Sequence, residues 1–299
     1  MTERIALATS ADFPNLDEDG ALLLDALARR GLNGEPAVWT DEGAPWSSYA
    51  AVIVRSTWDY FHRRAEFLEW ADRVAAVRRL ANSADVLRWN TDKTYLRELA
   101  EAGLPVVETA WLHPGDTFSP PTSGQYVVKP AVSAGSNDTN RYVAGTHDAM
   151  ATGHASRLLS AGRVVMVQPY LHDVDTAGET ALLFFAGTYS HAIRKAALLE
   201  PAMASLEGAY RPETITAREP SPAERDVADR ILDTVSVLRR WPRGELTYAR
   251  VDLVPGADST PTLLELELAE PSMFLKDDEA AADRFAAAIA ALVGVESAE

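Results

Sequence analysis

The chain has 299 residues, 47% of them hydrophobic, which is ample for the core of two domains or of one large domain. Its 28 Lys and Arg residues against 44 Asp and Glu residues give a formal net charge of -16, which excludes nucleic acid and anionic membranes as favoured partners. The chain has no cysteine, no apolar run of the ~18 residues that a transmembrane helix needs, and nothing like a signal peptide. We therefore expect a cytoplasmic protein without disulfides or cysteine metal sites.

Alternating strands and helices are predicted for residues 1–88. The apolar run at 51–54 is typical of a buried parallel strand. A helix at 20–30 begins after acidic residues and ends at Gly31. The other elements predicted here are strands at 5–8 and 37–39 and a helix at 63–80. This order is typical of a small doubly wound α/β domain.

Residues 89–170 contain strands and helices around a loop at 114–124 that is rich in Pro and Gly. The predicted helices lie at 92–102 and 147–160. The predicted strands lie at 106–111, 126–128, 142–144 and 164–168. A short helix before the first of these strands should end where Gly103 and Pro105 interrupt the helical pattern.

Residues 171–299 are richer in strands. Gly187 and Thr188 separate two apolar runs, which predicts a hairpin of strands at 179–186 and 189–195. A second pair of strands is expected at 246–254 and 262–268, around a turn at Pro255 and Gly256. Helices are expected at 222–240 and 278–293, and the polar stretch at 200–222 predicts a loop.

Several familiar catalytic motifs are missing. The chain has no G-x-x-x-x-G-K-[ST] phosphate loop, no G-x-G-x-x-G after its first strand, and no histidines at a metal-binding spacing. Lysine is also rare, since only Lys93, Lys129, Lys195 and Lys276 accompany 24 arginines. Because arginine cannot replace the compact ammonium group of lysine in a tight phosphate site, we expect the first three lysines to serve one. We expect Lys276, in a polar stretch, to be a surface residue.

Two segments are suited to nucleotide contacts. Lys129 ends a predicted strand, and a loop of small residues follows at 131–138, whose backbone N–H groups can hold phosphate oxygens. The backbone of residues 168–171 can pair with the edge of an adenine, and Asp175 just beyond it can accept ribose hydroxyls. Each segment alone is also compatible with an ordinary loop or a strand end.

Charged residues alternate along two strands near the C-terminus. Arg250 and Asp252 share one face of their strand, and Glu265 and Glu267 share one face of the next, opposite Leu264, Leu266 and Leu268. Paired as a hairpin, the strands bring three carboxylates together, which repel one another unless a cation lies among them. Mg²⁺ prefers oxygen ligands and keeps affinity for phosphates, so Mg–ATP is the natural occupant. An amphipathic hairpin with a charged outer face is the alternative.

These segments together resemble the ATP-grasp superfamily of ligases, over nearly the whole chain. The resemblance implies an α/β (α+β) fold, namely an ATP-grasp fold with an N-terminal Rossmann-like pre-ATP-grasp domain. It implies an N-terminal domain at 1–88, a central ATP-grasp subdomain at 89–170, and a C-terminal subdomain at 171–299 that carries the metal site.

The resemblance also implies roles for individual residues. The residues implied to bind ATP are Lys93, Lys129, Ser133, Gly135, Ser136, Gln168, Tyr170, Leu171 and Asp175. Arg250 would stabilise the transferring phosphoryl group, while Asp252, Glu265 and Glu267 would hold Mg²⁺, with Mn²⁺ as the alternative metal. Lys195 is a second catalytic candidate, for contact with phosphate or substrate. Many members carry Glu-x-Asn before Pro-Gly, whereas this chain has Glu265-Leu-Glu267 followed by Glu270-Pro271. Which of the three glutamates bind metal therefore stays open.

Two further stretches, 55–60 and 265–274, resemble a narrower group, the cyclo-ligases that close O-ureido-D-serine to D-cycloserine with release of carbon dioxide and ammonia. This resemblance implies a carboxylate activated as an acyl phosphate and attacked by the ureido nitrogen. We expect Arg55 and Asp59 to bind the zwitterionic amino acid, with Arg194 as a further substrate contact. We expect the loop at 200–222 to exclude water. The family suggests a homodimer through the N-terminal domain.

Three alternatives stay open from the sequence. A ligase of the same superfamily would join an amino acid to a separate amine with the same ATP residues. A serine hydrolase would use Ser133, because Ala131-Val-Ser-Ala-Gly135 approximates a nucleophile elbow. A nucleotide-binding regulator would bind ATP without turnover.

Overall fold

The computed structural model describes residues 2–196, 214–256 and 258–295, and the strands among them form three sheets. The first sheet is parallel, in the order β2-β1-β3-β4. Its strands are β1 (Glu3–Thr9), β2 (Leu32–Val38), β3 (Ala51–Val54) and β4 (Arg79–Ala81). Within the described ranges, no helix has the length and apolarity needed to cross a membrane.

The helices around this sheet differ in part from the prediction. Helix α1 (Gly20–Arg29) is confirmed. The helix predicted at 63–80 is too long: α2 (Arg64–Ala75) ends earlier, because Leu80 and Ala81 pair with β3 in the sheet. A third helix, α3 (Ala84–Asn90), was not predicted; it begins after Ser83, whose hydroxyl accepts the N–H of Val86.

The second sheet is antiparallel, in the order β5-β8-β6-β7. Its strands are β5 (Ala110–Leu112), β6 (Gln125–Pro130), β7 (Asn140–Val143) and β8 (Val165–Pro169), with α4 (Tyr95–Glu101) before them and α5 (Asp148–Ser160) between the last two. The strand predicted at 106–111 is wrong at its start. The N–H of Val107 instead donates to the carbonyl of Leu263, 3.0 Å away, in the third sheet.

The third sheet is antiparallel, in the order β11-β10-β9-β12-β13. Its strands are β9 (Glu179–Phe185), β10 (Thr188–Lys195), β11 (Ile215–Ala217), β12 (Tyr248–Pro255) and β13 (Pro261–Glu267). Both predicted hairpins are confirmed. Of the loop predicted at 200–222, residues up to 213 lie outside the described residues, and 215–217 form β11 instead, which pairs with β10.

The remaining helices connect the sheets. They are α6 (Val174–Ala177), α7 (Pro222–Arg239) and α8 (Ala281–Leu292). Phe285 and Ile289 of α8 share a buried cluster with Leu23 and Leu27 of α1 and with Phe185 of β9. The last helix therefore joins the third sheet to the first, so the carboxyl ends of β1 and β3 face the hairpin of β12 and β13.

Strand β13 lies at the edge of its sheet, and buried side chains satisfy its outer backbone groups. Asn90 accepts the N–H of Leu268 at 2.6 Å and donates to the carbonyl of Leu266 at 2.7 Å. The hydroxyl of Tyr95 donates to the same carbonyl at 2.7 Å and accepts the N–H of Leu266 at 2.8 Å. These bonds hold the strand that carries Glu265 and Glu267.

Replacing Tyr95 with phenylalanine should lower the free energy of unfolding by about 1–3 kcal/mol, because it removes hydrogen bonds to a buried N–H and a buried carbonyl. Urea unfolding measures the change. Tyr126→Phe is the matched control, since the buried Tyr126 hydroxyl has no hydrogen-bond partner among the described residues, and its loss should be neutral or stabilising. Equal losses in the two variants would contradict the prediction.

Candidate active site

The hairpin of β12 and β13 brings the predicted charges together. Arg250 lies opposite Glu267, and Asp252 lies opposite Glu265. The predicted apolar face needs one correction. A register shift after Asp252 makes Leu264 the extra residue of a bulge, so Leu263, fully buried, replaces it in the core.

The charged face of the hairpin forms a continuous network of ion pairs. The Nε and Nη2 atoms of Arg250 bind the two carboxylate oxygens of Asp252 at 2.8 and 2.9 Å, and Nη2 also contacts Glu267. Lys195 on β10 reaches Asp252 at 2.8 Å and Glu179 at 2.6 Å. Arg250 and Lys195 therefore both contact Asp252, from β12 and β10 of the third sheet.

Glu179 belongs to this network and was missed from the sequence. It lies opposite Lys195 because a bulge between Tyr189 and His191 shifts the register of β9 and β10 by one residue. With the observed closing pair of Thr188 and Phe185, an unbroken register would place Gly178 opposite Lys195, whereas the predicted turn at 187–188 would place Thr180 there. The alternation of side chains could have suggested an acid near Lys195, but only the bulge decides which.

Burial raises the pKa values of three carboxyl groups of the site, whereas neighbouring cations lower the pKa of a fourth. Against the effect of burial, Arg250 and Lys195 hold the pKa of Asp252 well below its usual range. Burial raises the pKa values of Glu179 and Glu267 to about 7, and burial with the charge of Glu267 raises the pKa of Glu270 to about 8. The site holds more negative charge than its own cations neutralise, so an added cation is favoured there.

The two lysines predicted to bind phosphates differ in their partners. The ammonium group of Lys93, 8% exposed, lies 3.0 Å from Glu265 and 2.8 Å from the carbonyl of Ser133. Although burial opposes it, Glu265 keeps the pKa of Lys93 above its ordinary value. Lys129 is half-buried, and among the described residues it has no hydrogen-bond or ion-pair partner. Lys129 is thus positioned to accept an anionic ligand.

The second-order rate constant for ATP should fall as the pH rises through about 8. Burial, followed by the charge of Lys93, lowers the pKa of Lys129 to about 8, so its ammonium group is charged below that pH and loses its proton above it. We expect log(kcat/KM) for ATP to approach a slope of -1 above the pKa. Lys129→Arg, which stays charged, should remove this fall, whereas the surface control Lys276→Arg should keep it. An unchanged profile in Lys129→Arg would contradict the assignment.

The loop after Lys129 has a defined shape. Gly135 and Ser136 have φ values of 58° and 57°, in the left-handed region that glycine adopts without strain. Asp138 anchors the end of the loop through Arg157 at 2.7 Å and Arg163 at 2.5 Å. Beside it lies a cavity of about 520 Å³ with the following lining: Phe61, His62, Val132, Asn137, Asp138, Arg157 and Arg163.

The hydroxyl of Ser133 donates to the carbonyl of Asn137 at 2.7 Å. Within the described part of the chain, no histidine makes a hydrogen bond to Ser133. A hydroxyl committed to a carbonyl and lacking a base does not fit a serine hydrolase.

The segment predicted to contact adenine and ribose is tied to the second sheet. The Nε2 of Gln168 donates to the Thr109 hydroxyl at 2.9 Å, and the N–H of Tyr170 donates to the carbonyl of Gln125 at 2.8 Å. The Tyr170 hydroxyl donates to Asp175 at 2.5 Å. Gln168 and the Tyr170 N–H are therefore occupied, whereas Leu171 and the remaining oxygen of Asp175 stay candidates for nucleotide contacts.

Arg55 and Asp59, predicted to bind the amino-acid substrate, do not lie together with their charged groups open to a ligand. Arg55 is only 2% exposed and contacts Asp17 at 3.3 Å. Asp59 accepts the indole N–H of Trp39 at 2.7 Å and binds Arg63 at 2.9 Å. Both side chains are thus bound to other side chains of the protein, because they follow β3 at an edge of the first sheet where the chain is closely packed.

Arg194 is also placed away from the carboxylates. Because side chains alternate along β10, it points to the opposite side from Lys195. Its Nε donates to the carbonyl of Ala177 at 2.6 Å, and its Nη2 donates to the carbonyl of Thr176 at 2.8 Å. Arg194 therefore stabilises the end of α6 rather than joining the ion-pair network.

A segment that follows β13 is held entirely by side chains from distant elements. Four successive carbonyls, at 270–273, each accept one donor. The donor–acceptor pairs are Trp58 with Glu270 (3.0 Å), Arg55 with Pro271 (3.0 Å), Arg250 with Ser272 (3.2 Å) and His191 with Met273 (2.9 Å). The two stretches that suggested the narrower group, 55–60 and 265–274, thus meet in space, which explains the burial of Arg55.

The donor set fits magnesium. Between residues 2 and 295, leaving out 197–213 and 257, no three acidic or histidine side chains are already arranged to hold a metal ion. Arg250 and Lys93 instead lie against the carboxylates of the site. The donors are nonetheless carboxylate oxygens, the ligand type that Mg²⁺ prefers, and burial together with neighbouring acids raises the pKa values of Glu267 and Glu270, an effect that a divalent cation would oppose.

Comparison with known proteins agrees with this geometry. A family model described as the N-terminal domain of D-cycloserine synthetase DcsG matches residues 5–82. The cycloserine biosynthesis protein DcsG of Streptomyces lavendulae is 39% identical over 298 residues, covering 96% of this chain and 97% of that protein. The crystal structure of D-cycloserine synthetase DcsG matches with a TM-score of 0.88 at 38% identity, over 97% of this chain and 99% of the other.

The fold is shared more widely. D-alanine–D-alanine ligase from Bacillus anthracis, solved with ATP, matches with a TM-score of 0.64 at 12% identity, over 98% of this chain and 97% of that one. This likeness identifies the architecture of three sheets as the ATP-grasp fold, as predicted. The chain belongs to the D-cycloserine synthetase family, and it is an ATP-dependent, C–N bond-forming ligase.

Proposed function

We propose that the protein closes O-ureido-D-serine to D-cycloserine with hydrolysis of ATP to ADP and phosphate, as a step of antibiotic biosynthesis. The observation that carries the proposal is the network of Arg250, Lys195 and Lys93 around Asp252 and Glu265, in a chain of this family. A site with this many fixed charges is suited to phosphoryl transfer, where positioning and charge neutralisation supply most of the rate.

ATP would lie between the second and third sheets. Lys129 and Lys93 would bind its phosphates together with the loop of Ser133, Gly135 and Ser136. The strand end at 168–171 and Asp175 would contact the adenosine. Asp252, Glu265 and Glu267 would hold Mg²⁺, for which Mn²⁺ is a possible substitute. When bound, the metal neutralises the β- and γ-phosphates.

The chemistry requires one activation and one ring closure. Transfer of the γ-phosphoryl group to the substrate carboxylate gives an acyl phosphate and ADP. The ureido nitrogen bonded to oxygen then attacks the acyl carbon, so that a C–N bond forms, the C–O bond to phosphate breaks, and the nitrogen loses its proton. One water removes the carbamoyl group as carbon dioxide and ammonia. Because both reacting groups belong to one molecule, ring closure gains from proximity.

The protein's side chains would act on the charge that moves during these steps. Arg250 and Lys195 can meet the oxygens of the transferring phosphoryl group, since both are held at Asp252. Lys129, which has no ion-pair partner among the described residues, would bind the phosphates as they move. The bidentate contact with Asp252 fixes the guanidinium plane before the reaction, so no reorganisation is needed when charge develops.

ADP release by the purified protein with Mg–ATP tests the proposal. O-ureido-D-serine is compared with its L-isomer and with a panel of ordinary amino acids. We expect turnover with the D-ureido compound and D-cycloserine formed in step with ADP. Turnover only with ordinary amino acids would move the function to a ligase of two separate substrates, and ATP binding without ADP release would indicate a regulator.

A further inference from the structure

Glu270 lies at the meeting point of the first sheet and the β12–β13 hairpin, where neither the ATP site nor the proposed metal site uses it. We propose that the Glu270 carboxylate binds the α-ammonium group of the amino-acid substrate. This assignment rests on the proposed function, and it names the residue that recognises the substrate as an amino acid.

Among the described residues, Glu270 is the carboxylate of this cluster that forms no ion pair. Asp252 is paired with Arg250 and Lys195, Glu267 with Arg250, and Glu265 with Lys93. Among the described residues, no cationic side chain lies within 4.0 Å of Glu270. A half-buried carboxylate beside other acids gains most from a cation that arrives with the ligand.

Glu270 is also held in one position. Its carbonyl accepts the indole N–H of Trp58 at 3.0 Å, and its carboxylate lies near the buried hydroxyl of Tyr60. The next carbonyl, of Pro271, accepts from Arg55 at 3.0 Å. Residues 55–60 therefore place this carboxylate, which gives that stretch a function other than direct contact with substrate.

The position suits the geometry of an amino acid. The α-ammonium and the reacting carboxylate are attached to the same carbon atom, so their binding groups must be neighbours. Glu270 lies close enough to Glu267 and Lys93 for their charges to act on it, and Glu267 in turn contacts Arg250. Asp59, the acid predicted for this role, is already bound to Trp39 and Arg63.

Steady-state kinetics of Glu270→Gln, which keeps the size of the side chain, test the inference. We expect the KM for O-ureido-D-serine to rise about 10- to 100-fold, as for loss of a charged hydrogen bond, while the KM for ATP and the Mg²⁺ activation constant change less than about twofold. The matched control is Glu66→Gln on α2, an exposed residue, which should change none of these constants. Thermal unfolding of each variant verifies that it is folded.

A substrate analogue that lacks only the ammonium group provides a second readout. In the wild type, this deamino analogue should inhibit at concentrations about 10- to 100-fold above the KM of the parent compound, and Glu270→Gln should not weaken it further. The comparison of analogue and parent in the wild type needs no variant. Equal losses for parent and analogue in Glu270→Gln would overturn the inference, and so would a raised Mg²⁺ constant with an unchanged KM, which would make Glu270 a metal ligand.

Failure of the proposed function would be recognised separately. If the wild type releases no ADP with O-ureido-D-serine but does so with another amino acid, the proposed function fails, and the same variant and deamino comparison with that amino acid decides the role of Glu270. ADP release that requires no amino acid would overturn both.

Discussion

Arg250→Lys should lower kcat for ADP release by about 10³-fold or more, the scale seen for an arginine that stabilises a transferring phosphoryl group. The guanidinium of Arg250 binds both oxygens of Asp252, contacts Glu267, and donates to the carbonyl of Ser272. An ammonium group is a single point charge and cannot form this planar, two-point contact with a carboxylate. The lysine variant therefore keeps the charge and loses the orientation.

Arg230→Lys is the matched control for this variant. Arg230 lies on α7 and is paired with Asp226, four residues earlier, at 3.7 Å, and both side chains are largely exposed. Such a pair contributes little, so kcat and the unfolding midpoint should stay within experimental error of the wild type. An Arg250→Lys enzyme that keeps more than a tenth of the wild-type kcat would contradict a role for the guanidinium at the phosphoryl group.

Asp252→Asn should lower kcat by about 10²- to 10³-fold and raise the Mg²⁺ concentration needed for half-maximal activity, as expected when several kcal/mol of metal-dependent charge stabilisation are lost. The variant should also lower the free energy of unfolding at pH 7 by about 3 kcal/mol, because Arg250 and Lys195 lose a shared buried counter-charge and keep only Glu267 and Glu179. Kinetics over a Mg²⁺ series and urea unfolding measure the two effects.

The pH dependence of that stability difference follows from the low pKa of Asp252 in the folded protein. A depressed carboxyl pKa contributes stability that is fully present above the unfolded value of about 4 and is lost as the pH falls towards the folded value. The difference between wild type and Asp252→Asn should therefore be largest near neutrality and shrink below about pH 4. The surface control Asp226→Asn should show no such difference; a gap that persists unchanged at pH 3 would disprove the ion-pair explanation.

Much of the site was accessible from local patterns. Side chains alternate along a strand, so the spacing of Arg250, Asp252, Glu265 and Glu267 predicted one charged face on a hairpin, which the register confirms. The rarity of lysine drew attention to Lys93, Lys129 and Lys195, and the structure places all three beside the acids or the small loop. These features depend on neighbours in the sequence.

Other parts needed contacts between distant segments. The helix predicted at 63–80 kept its apolar spacing through Leu80, but hydrogen bonds to β3 place that residue in a strand. The bulge in one hairpin places Glu179 opposite Lys195, and the bulge in the other removes Leu264 from the core. Neither bulge leaves a pattern in the sequence. Arg55 contacts Pro271 across 216 residues of chain, a pairing that no local rule predicts.

The sequence by itself determined the family, most of the helices and strands, and the set of charges available to the site, because residue type and strand alternation are local properties. Only the tertiary structure decided which cation neutralises which carboxylate. Lys93 lies between α3 and α4 whereas Glu265 lies on β13, and the contact between them depends on how the three sheets pack. Among the residues that the structure describes, the same packing leaves Lys129 and Glu270 without an ion-pair partner, since an ion pair forms only where two opposite charges come into contact.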